Sequence, residues 1–213
     1  MIDHNIQMTA EELEEENSDI YSNDDAQYVT KSENNFRIIN TNARSLCPKI
    51  NSLMDCFEET TATIGIITET WLSNGEALDD DLQDLLLGTG LGMVCRNRIR
   101  NDRGFSHRGV ALVFDSTVCY FKPVDYPNPD EFEILPCVGS LPGHSRKMVV
   151  VACYIPPGYD VRRGRACLDY ITDLVLHIKT KYKEPYLVIS GDFNQWGIQD
   201  ACLLYTSPSP RDS

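Results

Sequence analysis

Five polar side chains in this sequence stand at the ends of apolar runs, where they could carry metal-assisted chemistry on an anionic substrate. They are Asn42, Glu69, Tyr154, Asp192 and Asn194. A carboxylate just past a buried apolar run is costly unless it is solvated, paired or bound to a cation. Hydrolysis of a phosphodiester needs a cation that screens the phosphate and a carboxylate that takes a proton from water, and Glu69 and Asp192 could fill these roles. Each residue alone is also explained as a turn residue, since Asn and Asp dominate turns.

The apolar runs before these residues are predicted to be strands, and strand ends are where an α/β sheet usually presents its site. The runs are FRIIN (36–40), TIGIIT (63–68), MVVVACY (148–154) and YLVIS (186–190). Apolar residues at helical spacing predict helices within 46–57 and 167–178. Between them, a short helix at 79–88 and shorter strands near 92–95, 109–114, 117–122 and 131–138 are expected. The pattern is typical of a mixed α/β layered domain.

The charge of the chain is unevenly distributed. The 213 residues are 42% hydrophobic, enough for one core, and carry a net charge of -13. Residues 1–35 hold ten of the 32 acidic side chains against only Lys31, so this stretch carries -9 and the remainder -4. We expect residues 1–35 to form an acidic, disordered arm with no necessary role. The body is therefore not too acidic for a nucleic-acid partner.

Several classes of protein are disfavoured by what the sequence lacks. Its eight cysteines form no C-x-x-C pair and do not cluster with the four histidines at a zinc-ligand spacing, so we expect reduced thiols. No signal peptide or long apolar stretch indicates secretion or a membrane, which favours the cytoplasm or nucleus. Residues 202–213 match nothing before them and are expected to be a translated library adapter or a flexible end.

Five short blocks, in order over residues 36–196, resemble the endonuclease/exonuclease/phosphatase superfamily, and within it the endonuclease of non-LTR retrotransposons. The blocks are INTNARSL with the following P-K (39–49), IITETWL (66–72), RGVALVF (108–114), YIPP (154–157) and ISGDFN (189–194). The resemblance implies a partial layered α/β sandwich with mixed sheets over residues 36–201. It also implies a DNA endonuclease that nicks a target duplex, with a reverse transcriptase domain elsewhere in the full-length polyprotein.

The resemblance assigns a role to each of the five polar residues. Asn42 and Glu69 would hold a divalent cation, Mg²⁺ or Mn²⁺, for which hard oxygen ligands are suited. Tyr154 would hydrogen-bond the scissile phosphate, and Asp192 would orient or deprotonate the attacking water. Asn194 would fix the phosphate and Asp192.

Clustered arginines bear on the substrate. Arg96, Arg98, Arg100, Arg103 and Arg108 fall within thirteen residues, and Arg162, Arg163 and Arg165 form a second group. We expect both groups, chiefly Arg96, Arg98, Arg100 and Arg108 of the first, to line the DNA backbone on either side of the site without reading bases. Solvated loops are an equally good explanation. His107, His144 and His177 are expected to be structural.

The sequence departs from the family after the GDFN block. Family members continue into an S-x-D-H motif whose aspartate and histidine complete the site, and nothing after Asn194 supplies them. We therefore expect an N-terminal fragment with negligible nuclease activity. Two alternatives stay open: another phosphodiesterase or phosphatase of the superfamily, or a non-catalytic remnant that binds a partner through its acidic arm.

Overall fold

The computed structural model describes residues 36–72, 86, 88–96, 108–127, 132–158 and 160–194. Its strands are β1 (Ile38–Asn42), β2 (Ile64–Thr68), β3 (Leu91–Arg96), β4 (Val110–Asp115), β5 (Tyr120–Pro123), β6 (Glu133–Ser140), β7 (Lys147–Tyr154) and β8 (Tyr186–Asp192). Its helices are a 3₁₀ turn (Cys47–Lys49), α1 (Ile50–Thr60) and α2 (Val161–Tyr182). The expected arm and tail, and nearly all of the expected helix at 79–88, lie outside the described residues.

The strands form two four-stranded sheets. In each sheet the two strands at one edge are parallel, and the other neighbouring strands are antiparallel. One sheet has the order β1-β2-β4-β3 and the other β5-β6-β7-β8. In the first, β1 runs parallel to β2, and in the second β7 runs parallel to β8. The first strand lies two residues later in the chain than the apolar run FRIIN suggests. It extends to Asn42 because its pairing with β2 continues there, with Asn42 opposite Thr68.

Alternation along the strands builds a sandwich with a helix on each outer face. Ile66 and Leu112 point inward and meet Val150 of the facing sheet in the shared core. Ile67 points outward and packs with α1 through Leu53 and other apolar side chains. Each fully buried Leu, Ile or Val side chain contributes about 1.5–3 kcal/mol.

The outer face of the second sheet packs in the same way on α2. Val149 and Val151 of β7 share a cluster with Leu174 and Ile178 of the helix, and all four side chains are fully buried. The expectation of a layered α/β sandwich with mixed sheets is thereby confirmed. Neither described helix is long and apolar enough to cross a membrane.

One end of the sandwich gathers the functional candidates. The parallel strands β1 and β2 finish together, since Asn42 lies opposite Thr68, and β7 and β8 finish together at Tyr154 and Asp192. The antiparallel neighbour β6 begins at the same end, where Glu133 pairs with Tyr154. The two sheets therefore present their polar ends to one another.

Candidate active site

The side-chain amide of Asn42 hydrogen-bonds to carboxylates of both sheets at this end of the sandwich. The Nδ2 atom of Asn42 donates to Glu69 Oε1 at 2.9 Å and to Asp192 Oδ2 at 2.8 Å. The Asn42 Oδ1 atom accepts from the backbone N of Arg44 at 3.2 Å, which fixes the orientation of the amide. Two carboxylates from different sheets are thus held within reach of one group.

Glu69 is held by its backbone in an uncommon conformation. Its φ is +51°, in the left-handed region that non-glycine residues seldom adopt. The chain around it is fastened on both sides, because Glu69 O accepts from Ser45 N at 2.9 Å and Thr70 N donates to Gly109 O at 3.2 Å. Such a conformation persists only where neighbouring contacts over-determine it. The Glu69 carboxylate at this position reaches Tyr154 of the other sheet.

Tyr154 reaches that carboxylate from the second sheet. Its hydroxyl donates to Glu69 Oε1 at 3.1 Å, and the side chain is only 5% exposed. Burial, followed by the nearby charges of Glu69, Asp192 and Glu133, raises the pKa of Tyr154 well above its ordinary value. The phenol therefore stays protonated at neutral pH and remains a hydrogen-bond donor.

Asp192 is oriented through both of its oxygens. Oδ2 accepts from Asn42, and Oδ1 accepts from the backbone N of Asn194 at 2.9 Å. The Asn194 side chain itself donates to Ile155 O at 2.8 Å. Gly191, with φ +149°, allows the close approach of β7, since a Cβ there would stand 1.8 Å from Cys153 O.

Of the first group of arginines the structure describes Arg96 and Arg108, which lie at the same end of the paired strands β3 and β4. Arg96 ends β3 and its Nη1 atom donates to Ile134 O at 2.8 Å, so this guanidinium spans the two sheets. Arg108 lies half-buried just before β4, at the site end. Arg98 and Arg100, like Arg103, lie outside the described residues. Arg162, Arg163 and Arg165 are exposed at the start of α2.

Among the described residues, both histidines pack away from this cluster. His144 lies 5.7 Å from the rings of Phe36 and Tyr186, at the opposite end of the sandwich. His177 lies 4.9 Å from the Tyr126 ring, on the second half of α2. Both positions agree with the expected structural roles.

The donor set suits a hard divalent cation. The described residues contain no group of three or more His, Cys, Asp or Glu side chains placed to hold a metal ion. Mg²⁺ keeps several waters and is commonly held by one or two carboxylates. Glu69 and Asp192 provide carboxylate oxygens of that kind, and Asn42 orients both through its Nδ2 atom while its Oδ1 atom faces Arg44 N.

Comparison with known proteins identifies the fold. Neither a protein-family model nor a curated protein sequence matches the chain. Among solved structures, the catalytic domain of human Nocturnin superposes with a TM-score of 0.57 at 13% identity, covering 82% of this chain and 69% of that one. The chain has the endonuclease/exonuclease/phosphatase fold.

Two further structures share the endonuclease/exonuclease/phosphatase fold with this chain. AP endonuclease LMAP from Leishmania major superposes with a TM-score of 0.50 at 17% identity, covering 74% of this chain and 54% of that one. Humanized TDP2 of D. rerio has a TM-score of 0.50 at 10% identity, covering 75% and 63%. The chain thus spans little more than half the length of these two neighbours.

Proposed function

We propose that this chain belongs to a divalent-metal-dependent phosphodiesterase that acts on DNA, as part of the endonuclease of a non-LTR retrotransposon. The observation that carries the proposal is the amide of Asn42, which joins Glu69 of one sheet to Asp192 of the other. The fold similarity to an AP endonuclease supports it. Because the chain spans only part of its neighbours' lengths, the complete activity is proposed for the longer protein to which these residues belong.

The chain's own residues have separable roles in this proposal. Glu69 would hold the cation, and Asn42 would help to hold it by orienting that carboxylate. The cation would supply positive charge against the charge that develops on the phosphoryl oxygens. Tyr154, whose hydroxyl lies against Glu69, would donate a hydrogen bond to a non-bridging phosphate oxygen. Asp192 orients the attacking water and accepts its proton, while the backbone amide of Asn194 keeps that carboxylate in place.

Calorimetric titration of the chain with Mn²⁺ or Mg²⁺ tests the cation site. We expect saturable binding that Glu69→Gln abolishes and Asp192→Asn weakens, because each change removes a carboxylate charge from the set. Glu58→Gln is a matched control, since Glu58 is an exposed carboxylate on α1. Equal binding by Glu69→Gln and Glu58→Gln would contradict the assignment.

The exposed arginines at the start of α2 extend the proposal to the DNA backbone. α2 begins just after β7 ends, so Arg162 and Arg165 lie at the site end of the sandwich. We expect the double change to Gln at Arg162 and Arg165 to weaken DNA binding. The slope of log affinity against log salt concentration should fall by about 0.9 for each phosphate that the variant no longer neutralises. The same change at Lys179 and Lys181, exposed at the far end of α2, should alter neither quantity. Arg108 is proposed to contact the backbone as well.

Extension of the reading frame tests the retrotransposon assignment. Sequencing the transcript beyond the codon for Asp200 should reveal an S-x-D-H block followed by a reverse transcriptase frame. An extension without the reverse transcriptase would instead favour another phosphodiesterase or phosphatase of this fold. That alternative is then decided by offering duplex DNA, polyadenylate and a soluble inositol phosphate to the extended protein.

A further inference from the structure

A third carboxylate, that of Glu133, is buried at the same end of the sandwich as Glu69 and Asp192. Glu133 is the first residue of β6, pairs with Tyr154 and is only 7% exposed. Apart from Tyr154, the other buried polar side chains in the described part of the chain are threonines. Burial of a carboxylate is costly unless hydrogen bonds or opposite charges compensate for the lost water. A buried carboxylate at this position therefore calls for a structural or functional reason.

A hydrogen bond of this carboxylate joins the two sheets. Glu133 Oε2 accepts from the backbone N of Gly109 at 2.7 Å, and Gly109 stands just before β4 of the facing sheet. Position 109 admits only glycine, since its φ is +116° and a Cβ would lie 2.3 Å from Thr70 Oγ1. Glycine thus lets the backbone amide approach both Thr70 and the buried carboxylate.

A short run of backbone hydrogen bonds connects Gly109 with Glu69. Gly109 O accepts from Thr70 N at 3.2 Å, and Arg108 O accepts from Trp71 N at 2.9 Å. These bonds hold the segment that follows Glu69, whose own φ of +51° depends on such support. Glu133 therefore contacts the Glu69 segment through Gly109 and also pairs with Tyr154, which bonds the Glu69 carboxylate.

We propose that Glu133 is a positioning residue that sets the Glu69 carboxylate against Tyr154 and Asp192 across the sandwich. The proposal rests on the proposed metal-dependent function, for which it names a further residue. Glu133 acts through its hydrogen bond to the Gly109 amide rather than by touching cation or phosphate. Partners behind the direct ligands commonly change metal affinity by about 10- to 100-fold when mutated.

Two substitutions separate the hydrogen bond from the charge. Glu133→Gln keeps an acceptor oxygen for the Gly109 amide, whereas Glu133→Leu keeps the volume and removes the acceptor. We expect Glu133→Leu to weaken Mn²⁺ binding by about 10- to 100-fold, as loss of an outer-shell partner does. Glu133→Gln should stay within a few-fold of the unmodified chain. Equal affinity in all three proteins, or equal weakening by Gln and Leu, would overturn the proposal.

Hydrogen exchange supplies a readout that needs no metal. In Glu133→Leu, the amides of Thr70 and Trp71 should exchange faster while those of Ile66 and Val150 in the central core keep their protection. Glu133→Gln should restore the slow exchange. Unchanged exchange at Thr70 and Trp71 in the Leu variant would refute positioning by Glu133. Failure of the unmodified chain to bind Mn²⁺ would instead refute the proposed function and leave the exchange result to decide the role of Glu133.

Discussion

Replacing Gly191 with alanine should separate the last residues of β7 and β8 and displace Asp192. A Cβ at this position would stand 1.8 Å from the carbonyl oxygen of Cys153, well inside the 3.0 Å that such contacts need, and that atom belongs to backbone that cannot rotate away. The substitution also strains a backbone with φ +149° and disturbs the bond from Asn40 Nδ2 to Gly191 O. Strain of about 1–3 kcal/mol and a hydrogen bond of about 0.5–1.5 kcal/mol together predict a loss of about 1.5–4.5 kcal/mol.

Urea unfolding followed by circular dichroism measures this loss. Gly88→Ala is the matched control, because a Cβ at that exposed glycine meets nothing within 4 Å. We expect the control to unfold at the midpoint of the unmodified chain and Gly191→Ala at a clearly lower urea concentration. Mn²⁺ affinity should fall in Gly191→Ala alone, since Asp192 moves with the strand. Coincident unfolding curves for the two variants would refute the steric argument.

Three further substitutions or reagents probe single contacts. Tyr154→Phe removes the hydroxyl bond to Glu69 and should cost about 1.5 kcal/mol in a denaturant titration, as bonds to charged groups do; an unchanged midpoint would contradict the bond. Asp160→Ala removes the side-chain N-cap of α2 and should cost about 1 kcal/mol, with Asp160→Asn restoring most of it. Burial raises the pKa of the Cys137 thiol to about 12. Alkylation at pH 8 should therefore modify exposed Cys47 and spare Cys137, and mass spectrometry that finds both modified would contradict the burial.

The order of the strands and helices could largely be predicted from the sequence, because buried elements leave apolar runs or apolar residues at helical spacing. TIGIIT and YLVIS became β2 and β8, and the apolar spacing within 167–178 lies inside α2. The first strand was misplaced by two residues, because its end is set by pairing with β2 rather than by its own composition. Boundaries of this kind depend on a neighbour that is distant in sequence.

Some of the site residues could be predicted from the sequence. Strand ends and the family resemblance singled out Asn42, Glu69, Tyr154 and Asp192 without fixing their distances in space, and hydrogen bonds join them in the structure. Glu133 was missed because the predicted site residues all follow apolar runs, whereas Glu133 precedes one. A carboxylate directly before a buried strand was the signal that could have found it. The hydrogen bond from Arg96 to Ile134 O could not be predicted, since the direction of a guanidinium depends on the facing sheet.

The bond between Asn42 and Asp192 joins residues 150 positions apart in the chain. Contacts of such long sequence separation form only after the intervening chain has been closed into a loop, which slows folding that depends on them. The site therefore forms only when nearly all of the tertiary structure is in place. A loosened state with both sheets and helices intact would keep its far-ultraviolet spectrum and lose its cation affinity. On the proposed function, cation binding rather than secondary structure would therefore report whether this chain has reached its native state.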